Sequence, residues 1–445
     1  MDRAAIILAA GAGTRMKSAM PKVLHQVAGS PILGHVIGAL KGAGVGRIVV
    51  VTAPDAHSVR AYAHAQGCES VVQDKQLGTG HAVMAAAPSL KQFKGEVVVA
   101  YGDMPLLTAK AFAAAFAARP SGGLAIVAFR ATDPGHYGRV LLDKKGMVDR
   151  IVEFKDASAK ERKTDLCNAG LMVAEAKKFF AWGARLDNRN AQKEFYLTDV
   201  PALAKKDRAR AAVALVKESE ALGVNSRKEL SEAERHMQDR LREKALASGV
   251  TMTAPETVFL SHDTVLAADV EIEPFVVFGP GVAVEKGARI RSHSHLEGAR
   301  VAAGAIIGPF ARLRPGTVIG EGTHIGNFVE VKNSAIAKGV KANHLTYLGD
   351  ADVGANANIG AGTITCNYDG FGKYRTEIGA GAFIGSDTAL VAPVKVGAGA
   401  ITGAGSVITK DVAPDALAVA RGAQVEKPGW AKRFRDIKRK KKDKK

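Results

Sequence analysis

Along the second half of the chain, apolar residues return at every sixth position. Ile272, Phe278, Val284, Ile290 and Leu296 form one series, and Ile307, Leu313, Ile319, Ile325 and Val331 form the next. Val353, Ile359 and Thr365 continue it, followed by Ile384, Leu390, Val396, Thr402 and Ile408. Small or β-branched residues stand two positions earlier, as at Val270, Val276, Val282, Ala382, Thr388, Val394, Ala400 and Ser406. An α-helix repeats about every 3.6 residues and a lone strand about every 2, so neither yields a period of six. The stacked coils of a parallel β-helix do, because every coil adds the same faces to one continuous core. The series slips three times: Leu296 to Ile307 is one residue short, Val331 to Val353 is out of phase by four, and Thr365 to Ile384 by one. The two larger breaks contain or border Lys332, His344, Tyr347, Asn367, Tyr368 and Arg375. Interruptions of a regular solenoid are where loops build sites, so these are expected to be loops that carry chemistry.

The first half follows another pattern. Residues 4–9, 47–51, 96–101 and 124–129 are short apolar runs that predict buried strands, and residues 31–41, 55–66 and 108–118 predict helices. Such alternation predicts a mostly parallel sheet covered on both faces. Ser226 followed by Glu229 is a capping-box start. Leu230, Ala233, Met237 and Leu241 then make one apolar stripe on a long, charge-rich connecting helix that closes before Gly249. The resulting division is a domain over residues 1–225, a linker helix over 226–248, a β-helix over 249–431 and a tail over 432–445.

Composition narrows the class. A chain of 445 residues holds two or three domains, and its apolar and charged shares are those of a folded protein. Cys68, Cys167 and Cys366 lie far apart with neither metal nor disulfide spacing, which predicts reduced thiols in a cytoplasmic protein. The apolar run over residues 4–10 is far shorter than the ~20 residues of a membrane span and reads as a first strand, so no integral membrane segment is expected. The net charge of +18 raises nucleic acid as a partner. Ten Lys or Arg against two Asp in residues 432–445 supply +8 of it, and this run reads as a basic, disordered tail. Aromatic residues are few and do not interleave with basic ones, so no nucleic-acid platform is expected.

Candidate chemistry in the first half starts after strand 4–9, at Leu8-Ala9-Ala10-Gly11-Ala12-Gly13-Thr14-Arg15-Met16. Gly11 and Gly13 let backbone approach a phosphate or base, and Arg15 offers a forked donor array. Met16 in place of a third glycine excludes the dinucleotide fingerprint, and no Gly-Lys-Ser/Thr ending makes a P-loop. A lone Gly-x-Gly is as often a mere turn. The run continues through Pro21-Lys22-Val23-Leu24-His25, with Lys22 as a second cation, and the whole resembles the signature of sugar-1-phosphate nucleotidylyltransferases. The resemblance extends to Gln73, Leu77-Gly78-Thr79-Gly80-His81-Ala82, Tyr101-Gly102-Asp103, Tyr137-Gly138-Arg139, the segment around Glu153, Cys167-Asn168-Ala169-Gly170 and Gly223-Val224-Asn225. It implies a Rossmann-like α/β domain in which Leu8, Ala9, Ala10, Gly11, Lys22, Gln73, Gly78, Thr79, Tyr101 and Gly102 hold the nucleotide. Gly138, Glu153 and Asn168 would surround the sugar, Asp103 and Asn225 would bind Mg2+, and Arg15 and Lys22 would act in catalysis. Asp103 also ends an apolar strand, where open α/β sheets present ligands, and a carboxylate is a hard oxygen donor that suits magnesium. Where many relatives have Thr, this chain has Ala169. Taken alone, Glu153 reads as part of a solvated face.

A lone His such as His344 is more often structural than a base, and His262, His293 and His295 read as surface or coil-lining residues because no acidic or Cys partner stands at ligand spacing. The segments GPFARLRPG, GNFVEVKN, HLTYLGD and NIGAGTITCNYDG change the reading of His344. They resemble the acetyltransferase half of the bifunctional N-acetylglucosamine-1-phosphate uridylyltransferase/glucosamine-1-phosphate N-acetyltransferase family, whose β-helix of hexapeptide repeats is left-handed. The resemblance implies His344 as general base, Arg314, Lys332 and Tyr347 on the sugar phosphate, and Asn358 on the sugar. Asn367 and Tyr368 would lie beside the acetyl donor, and Ser386, Ala404 and Arg421 along the path of acetyl-CoA. It further implies UTP, glucosamine-1-phosphate and N-acetylglucosamine-1-phosphate as substrates, and a homotrimer. Two other readings stand beside it: a nucleotidyltransferase whose β-helix serves assembly or regulation, and a non-catalytic scaffold. His344 with its motifs speaks against the first, and intact Arg15, Lys22, Asp103 and Asn225 against the second.

Overall fold

The computed structural model describes residues 1–11 and 13–442. Ala12 of the glycine loop and the last three residues of the basic tail lie outside the described residues. Two compact units divide between Glu243 and Lys244.

The first unit is a sheet with helices on both faces. In chain order its strands are β1 (Arg3–Ala9), β2 (Arg47–Thr52), β3 (Glu69–Val72), β4 (Glu96–Tyr101), β5 (Leu124–Arg130), β6 (Arg139–Leu142), β7 (Val148–Val152), β8 (Leu166–Glu175) and β9 (Ala211–Leu215). Spatial order is β9-β5-β8-β4-β1-β2-β3. β8 runs antiparallel between β4 and β5, and the other pairings along this path are parallel. The hairpin of β6 and β7 joins through β8. The helices are α1 (Ile32–Gly42), α2 (His57–Ala65), α3 (Thr79–Ala85), α4 (Ala109–Ala118), α5 (Ala176–Gly183), α6 (Val200–Lys206) and α7 (Arg227–Ala247), which crosses the unit boundary.

The unbroken apolar run of β1 follows from this layering. Ala5, Ile7 and Ala9 pack with Leu33, Val36, Leu40, Phe112 and Phe116 on one face. Ala4 and Ile6 pack with Ala82, Val83, Phe179, Trp182 and Val200 on the other. Each large aliphatic side chain so buried contributes about 1.5–3 kcal/mol. α7 begins as a capping box, with Ser226 Oγ donating to Glu229 Oε2 (2.8 Å) and accepting from Glu229 N (3.3 Å). Its stripe is not left to solvent. Ala233 and Met237 are buried against Val27, Ile32, Leu106 and Val224, with Leu230 and Leu241 at the edge.

The second unit is a parallel β-helix. Short strands stack into three parallel sheets of ten, eight and eight strands, starting at Thr251–Met252, Val277–Phe278 and Val265–Leu266 respectively. The six-residue series lines its interior, from Ile272 and Phe278 through Leu390 and Val396.

The structure revises the phase slips. Between Val331 and Val353 the repeat does not lapse: Ile336, Ala342 and Leu348 are buried in sequence, joined by two five-residue steps. Residues 332–352 are therefore regular coil and not the expected loop. Ala342 is merely too small to register as a repeat position. The second break is real and lies within residues 366–377, since Ala351 pairs with Thr376 across a coil lengthened to 25 residues. The extra residues form a small hairpin bridged at Tyr368 and Lys373, with Phe371 exposed at its tip. The irregular steps, namely Leu296 to Val301, Val331 to Ile336, Leu348 to Val353, Thr365 to Ile378 and Ile408 to Val412, leave the second sheet and enter the third. One corner of the helix absorbs every insertion and deletion.

The tail expected to be disordered forms helix α8 (Trp430–Lys442). Trp430, Phe434 and Ile437 share one stripe, the first two rings stacking at 5.2 Å, and Lys and Arg are themselves good helix formers. No helix among the described residues is long and apolar enough to cross a membrane.

Candidate active sites

In the first unit, the carboxyl ends of β1 and β4 open onto a cleft of about 350 Å³. Leu8, Ala9, Ala10, Gly11, Lys22, Gln73, Gly78, Thr79, Tyr101 and Asp103 line it, with Gln76 and Glu194. Gly102 is held beside it, its N–H donating to Leu8 O (2.9 Å). Gln76 also closes the glycine loop, donating to Ala10 O at 2.6 Å. Neither Gln76 nor Glu194 carries a pattern that marks it in sequence. Arg15 sits exposed on the single turn Thr14–Met16 after the loop and is not among the cleft-lining residues.

Lys22 is the hub of the charges. Its Nζ donates to Asp103 Oδ2 at 2.5 Å and to Asn225 Oδ1 at 2.8 Å, with both Lys22 and Asp103 side chains largely buried. Two oxygens from distant chain segments thus converge on one cation. Asn225 is fixed in turn by the start of α7, its N–H donating to Glu229 Oε2 at 2.9 Å. A carboxylate and an amide oxygen aimed at the same point are the donor set that a hard divalent cation takes, so the residues present fit magnesium.

Glu153 accepts from Thr198 Oγ1 (3.0 Å). Burial pushes its carboxyl above the usual range; the Thr198 bond opposes this, and the nearby carboxylates of Asp156, Asp199 and Glu194 add to it. Its environment is not that of a solvated face. Burial also raises the Tyr101 phenol, helped by the charges of Glu153 and Asp103. Gly170, at φ +78°, is required here: a Cβ would sit 2.0 Å from the Tyr101 ring. Asn168 Oδ1 accepts from Gly170 N (3.0 Å), so Asn168 holds the strand bend that makes this space. Gly138 lies against Glu153, while Arg139 is buried as a brace donating to the carbonyls of Pro134, Gly135, Tyr137 and Arg162.

In the second unit the chemistry is stacked along the coils. His344 ends the strand Lys341–His344 and is exposed. Its Nδ1 lies 2.7 Å from Oδ1 of Asn327, the residue in register one coil earlier. An amide oxygen only accepts, so Nδ1 carries the proton and Nε2 is left as the basic nitrogen. Asn327 was missed in the sequence, although the repeat places it one 17-residue coil before His344.

Arg314 follows the second-sheet strand Arg312–Leu313, and Lys332 ends the strand Glu330–Lys332 in the adjacent coil. Arg314 pairs with Glu330 at 2.9 Å. Tyr347 starts the next strand of that sheet, and its ring lies across Gly349, where a Cβ would stand 2.3 Å from the phenol oxygen. Lys373 on the inserted hairpin joins this group. The Lys373 amine against Lys332 pulls the Lys332 pKa below the ordinary lysine value, burial and Arg314 adding to this while Asp350 opposes it. Asp350 offsets these cations only in part, so the group can still seat an anion. Lys373 was also missed in the sequence, though the phase slip pointed at its loop.

Asn367 is buried, with its amide spent on Asp350, which also accepts from Asn333 at 2.5 Å. Burial alone would raise the Asp350 carboxyl, but these two bonds and the charges of Lys332 and Lys373 hold it below the usual range. Asn367 therefore ties the corner, and Tyr368 beside it is exposed. Arg375 forms a two-pronged ion pair with Asp352 and is bracing. Asn358 begins a first-sheet strand, in register with Lys341.

Ser386 and Ala404 are exposed at the corner that His344 occupies, in successive coils that continue the register Ala342, Ile359, Ile384, Thr402. The Arg421 guanidinium donates to Ala404 O at 2.7 Å. Coils stack about 4.8 Å apart, so this edge runs roughly 14 Å from His344 to Ala404. His293, by contrast, is stacked between Phe275 (4.9 Å) and Phe310 (4.8 Å) in an exposed corner ladder.

Comparison with known proteins agrees with both units. The MobA-like NTP transferase domain matches residues 5–168. The bacterial transferase hexapeptide family, six repeats, matches residues 298–333 and 375–410, which makes the coil a left-handed β-helix of hexapeptide repeats. The bifunctional protein GlmU of Paramagnetospirillum magneticum is 51% identical over 97% of this chain and 96% of its own length. That of Sphingopyxis alaskensis is 52% identical over 99% and 98%, and that of Zymomonas mobilis 49% identical over 98% of each. Identity at this level across both units and both sites places the chain in the family of bifunctional GlmU proteins.

Proposed function

We propose that the chain is a bifunctional transferase that makes UDP-N-acetylglucosamine. The β-helix unit, residues 249–431, moves an acetyl group from acetyl-CoA to the amine of glucosamine-1-phosphate. The α/β unit, residues 1–225, then joins the product to UMP from UTP and releases pyrophosphate. One observation carries this reading: a single chain holds both an oxygen-donor clamp at the ends of parallel strands and an oriented imidazole one coil from a seat for phosphate.

In acetyl transfer, Arg314, Lys332, Lys373 and Tyr347 hold the sugar phosphate, and Asn358 the sugar. His344 Nε2 takes the proton as the amine attacks the thioester carbonyl. The C–S bond breaks and the thiolate leaves to be protonated. Ser386, Ala404 and Arg421 guide the donor along the corner edge, with Tyr368 near its acetyl end. In uridylyl transfer, the sugar phosphate oxygen attacks the α-phosphorus and pyrophosphate departs. Such a reaction needs positioning and charge neutralisation more than a covalent nucleophile. Lys22 supplies a positive charge inside the cleft, Arg15 adds one from the loop, and Glu153 and Asn168 set the sugar. Asp103 and Asn225 would hold Mg2+, which supplies neutralisation of polyphosphate charge when bound. A homotrimer working in the cytoplasm completes the reading, supported by the hexapeptide coil and by three unpaired cysteines.

The test is a coupled assay with glucosamine-1-phosphate, acetyl-CoA, UTP and Mg2+, following UDP-N-acetylglucosamine by chromatography. Product is expected only with all four present. Uridylylation of supplied N-acetylglucosamine-1-phosphate without any acetylation would leave a nucleotidyltransferase with a structural β-helix.

A further inference from the structure

Every residue from Arg421 to Lys440 is exposed, so residues 430–440 of helix α8 stand clear of the folded body. Its ring contacts are internal: Trp430 stacks on Phe434, and the Lys438 amine lies 5.5 Å from the centre of the Phe434 ring. A 13-residue helix without neighbours is at the lower limit of what holds in water. Here Arg435 and Arg439, and Lys438 and Lys442, stand one turn apart and repel, which weakens it further. Trp430, Phe434 and Ile437 nonetheless fall on one face at the helical spacing, each between 46% and 55% exposed. Eight Lys or Arg against one Asp occupy the same helix, a net charge of +7. An apolar stripe left in water beside that charge is a surface without its partner.

We propose that α8 is a docking helix for an anionic bilayer surface, lying in the headgroup layer with Trp430, Phe434 and Ile437 turned toward the acyl chains. At about 1.5 Å per residue it is roughly 20 Å long, too short to cross a hydrocarbon core of about 30 Å, so it lies on the membrane rather than through it. A basic helix with a narrow aromatic stripe is the pattern that settles at such an interface. Headgroup phosphates neutralise the cations, which removes the repulsion between turns, and burial of the stripe supplies the support that the fold does not. Arg433 and Lys438 flank the stripe, one on each side, and their stems can lie along it while the charges reach the headgroups. Lys438 over the Phe434 ring already shows this arrangement. A nucleic-acid backbone would take the cations and leave the stripe in water, and a second copy of the tail would bring like charge to like. A planar anionic surface with an apolar layer beneath satisfies both halves of the helix. The proposal stands apart from both transferase reactions, because α8 holds no residue of either site.

The test is co-sedimentation of the full-length protein with vesicles of mixed phosphatidylglycerol and phosphatidylcholine, against vesicles of phosphatidylcholine alone. Wild type is expected to bind the mixed vesicles about tenfold or more tightly than the neutral ones, and to release them as salt is raised. The chain's other tryptophan, Trp182, is buried, so a blue shift of emission on binding reports Trp430. Phe434→Ser/Ile437→Ser removes two of the three stripe residues and should weaken binding about 10- to 100-fold. Arg433→Glu/Lys438→Glu should weaken it by a similar factor. Both transfer rates, measured without vesicles, report on folding and should match wild type in every variant. No binding of wild type to the mixed vesicles, or equal binding to both kinds, overturns the proposal. So does full binding by Phe434→Ser/Ile437→Ser, which would reduce the tail to diffuse charge attraction. Capture by duplex DNA without vesicle binding would assign α8 to a nucleic acid and overturn it. A raised KM for acetyl-CoA in the variants, again without vesicle binding, would assign α8 to the acetyl site and overturn it as well.

Discussion

The two units assemble charge in opposite ways. The α/β cleft draws its key residues from far apart, with Lys22, Asp103 and Asn225 meeting across 81 and 203 residues of chain. The β-helix draws its own from a column: Asn327 and His344, then Arg314, Lys332 and Tyr347, stand one or two coils apart on a repeating frame. In the cleft, position depends on the whole fold, and a small error in one loop separates the donors. In the coil, the frame is fixed by the buried series and only the corner varies. The first site is convergent and pre-paired internally, cation on anion. The second brings like charges together, Lys332 against Lys373, which the Asp350 carboxylate offsets only in part.

This difference predicts that each activity can be removed while the other survives, in preparations carrying both. His344→Ala should lower acetyl transfer by about 10²–10⁴-fold, the range for loss of a general base, with uridylyl transfer within a factor of two. Loss of both activities would mean the imidazole is structural. Lys22→Met should cost uridylyl transfer about 10²–10³-fold, as does the removal of one preorganised charge partner elsewhere, and spare acetyl transfer. Parallel rates for both reactions across a set of such variants would contradict two independent sites.

Asn327 sharpens the column. Asn327→Leu should lower kcat for acetyl transfer by roughly tenfold while KM for the amine holds, because the base stays but loses its orientation. Asn327→Asp places a carboxylate on Nδ1–H, an anion that favours the charged imidazolium over the neutral ring. The base must be neutral to work, so the acid limb of the kcat/KM profile should move to higher pH. A limb that stays in place would show that Asn327 does not bond the imidazole in solution. Lys332→Met removes one cation from the phosphate seat and should raise KM for glucosamine-1-phosphate by about tenfold with kcat nearly kept. A change in kcat alone would assign Lys332 to the chemical step.

The comparison also explains what was legible in the sequence. The β-helix was readable because its interior positions are adjacent in a short period, so a few residues report the whole frame. Ala342 hid one coil, since alanine meets the packing requirement without declaring it, and regular coil was read as a loop. Asn327 was missed because its partner stands one coil away, a distance visible only once coil length is known, and Lys373 because it sits in an insertion outside the repeat. In the α/β half, β1, β2, β4 and β5 were clear as apolar runs, while β3 and β9 were not picked out. β6, β7 and β8 were not, because their partners lie in a hairpin and an antiparallel insertion that no local period records. Lys22, Asp103 and Asn225 were recognised by motif, but nothing local could show them touching. The tail was read by charge alone, and charge does not reveal that Trp430, Phe434 and Ile437 share a helix face.

Glu153 gives the smallest expected effect and a test of the convergent site by stability alone. Burial raises its carboxyl above the unfolded value, with neighbouring carboxylates adding to this against the Thr198 bond. A raised acid binds its proton more tightly when folded, so stability is greatest below the unfolded pKa and is given up as pH rises through the folded one. At neutral pH the ionised form is a standing cost of the site. Glu153→Gln keeps an oxygen for Thr198 and removes that charge, so the first unit should unfold a few degrees higher at pH 7. The difference should vanish near pH 4, where the wild-type side chain is itself protonated. The same variant should bind N-acetylglucosamine-1-phosphate more weakly, since a neutral acceptor replaces a carboxylate on the sugar. Thermal scans at the two pH values, with the sugar phosphate titrated at the higher one, separate these effects. A variant less stable at pH 7 than the wild type would mean that the carboxylate is satisfied in the fold, and that the cleft holds no charge in reserve for its substrate.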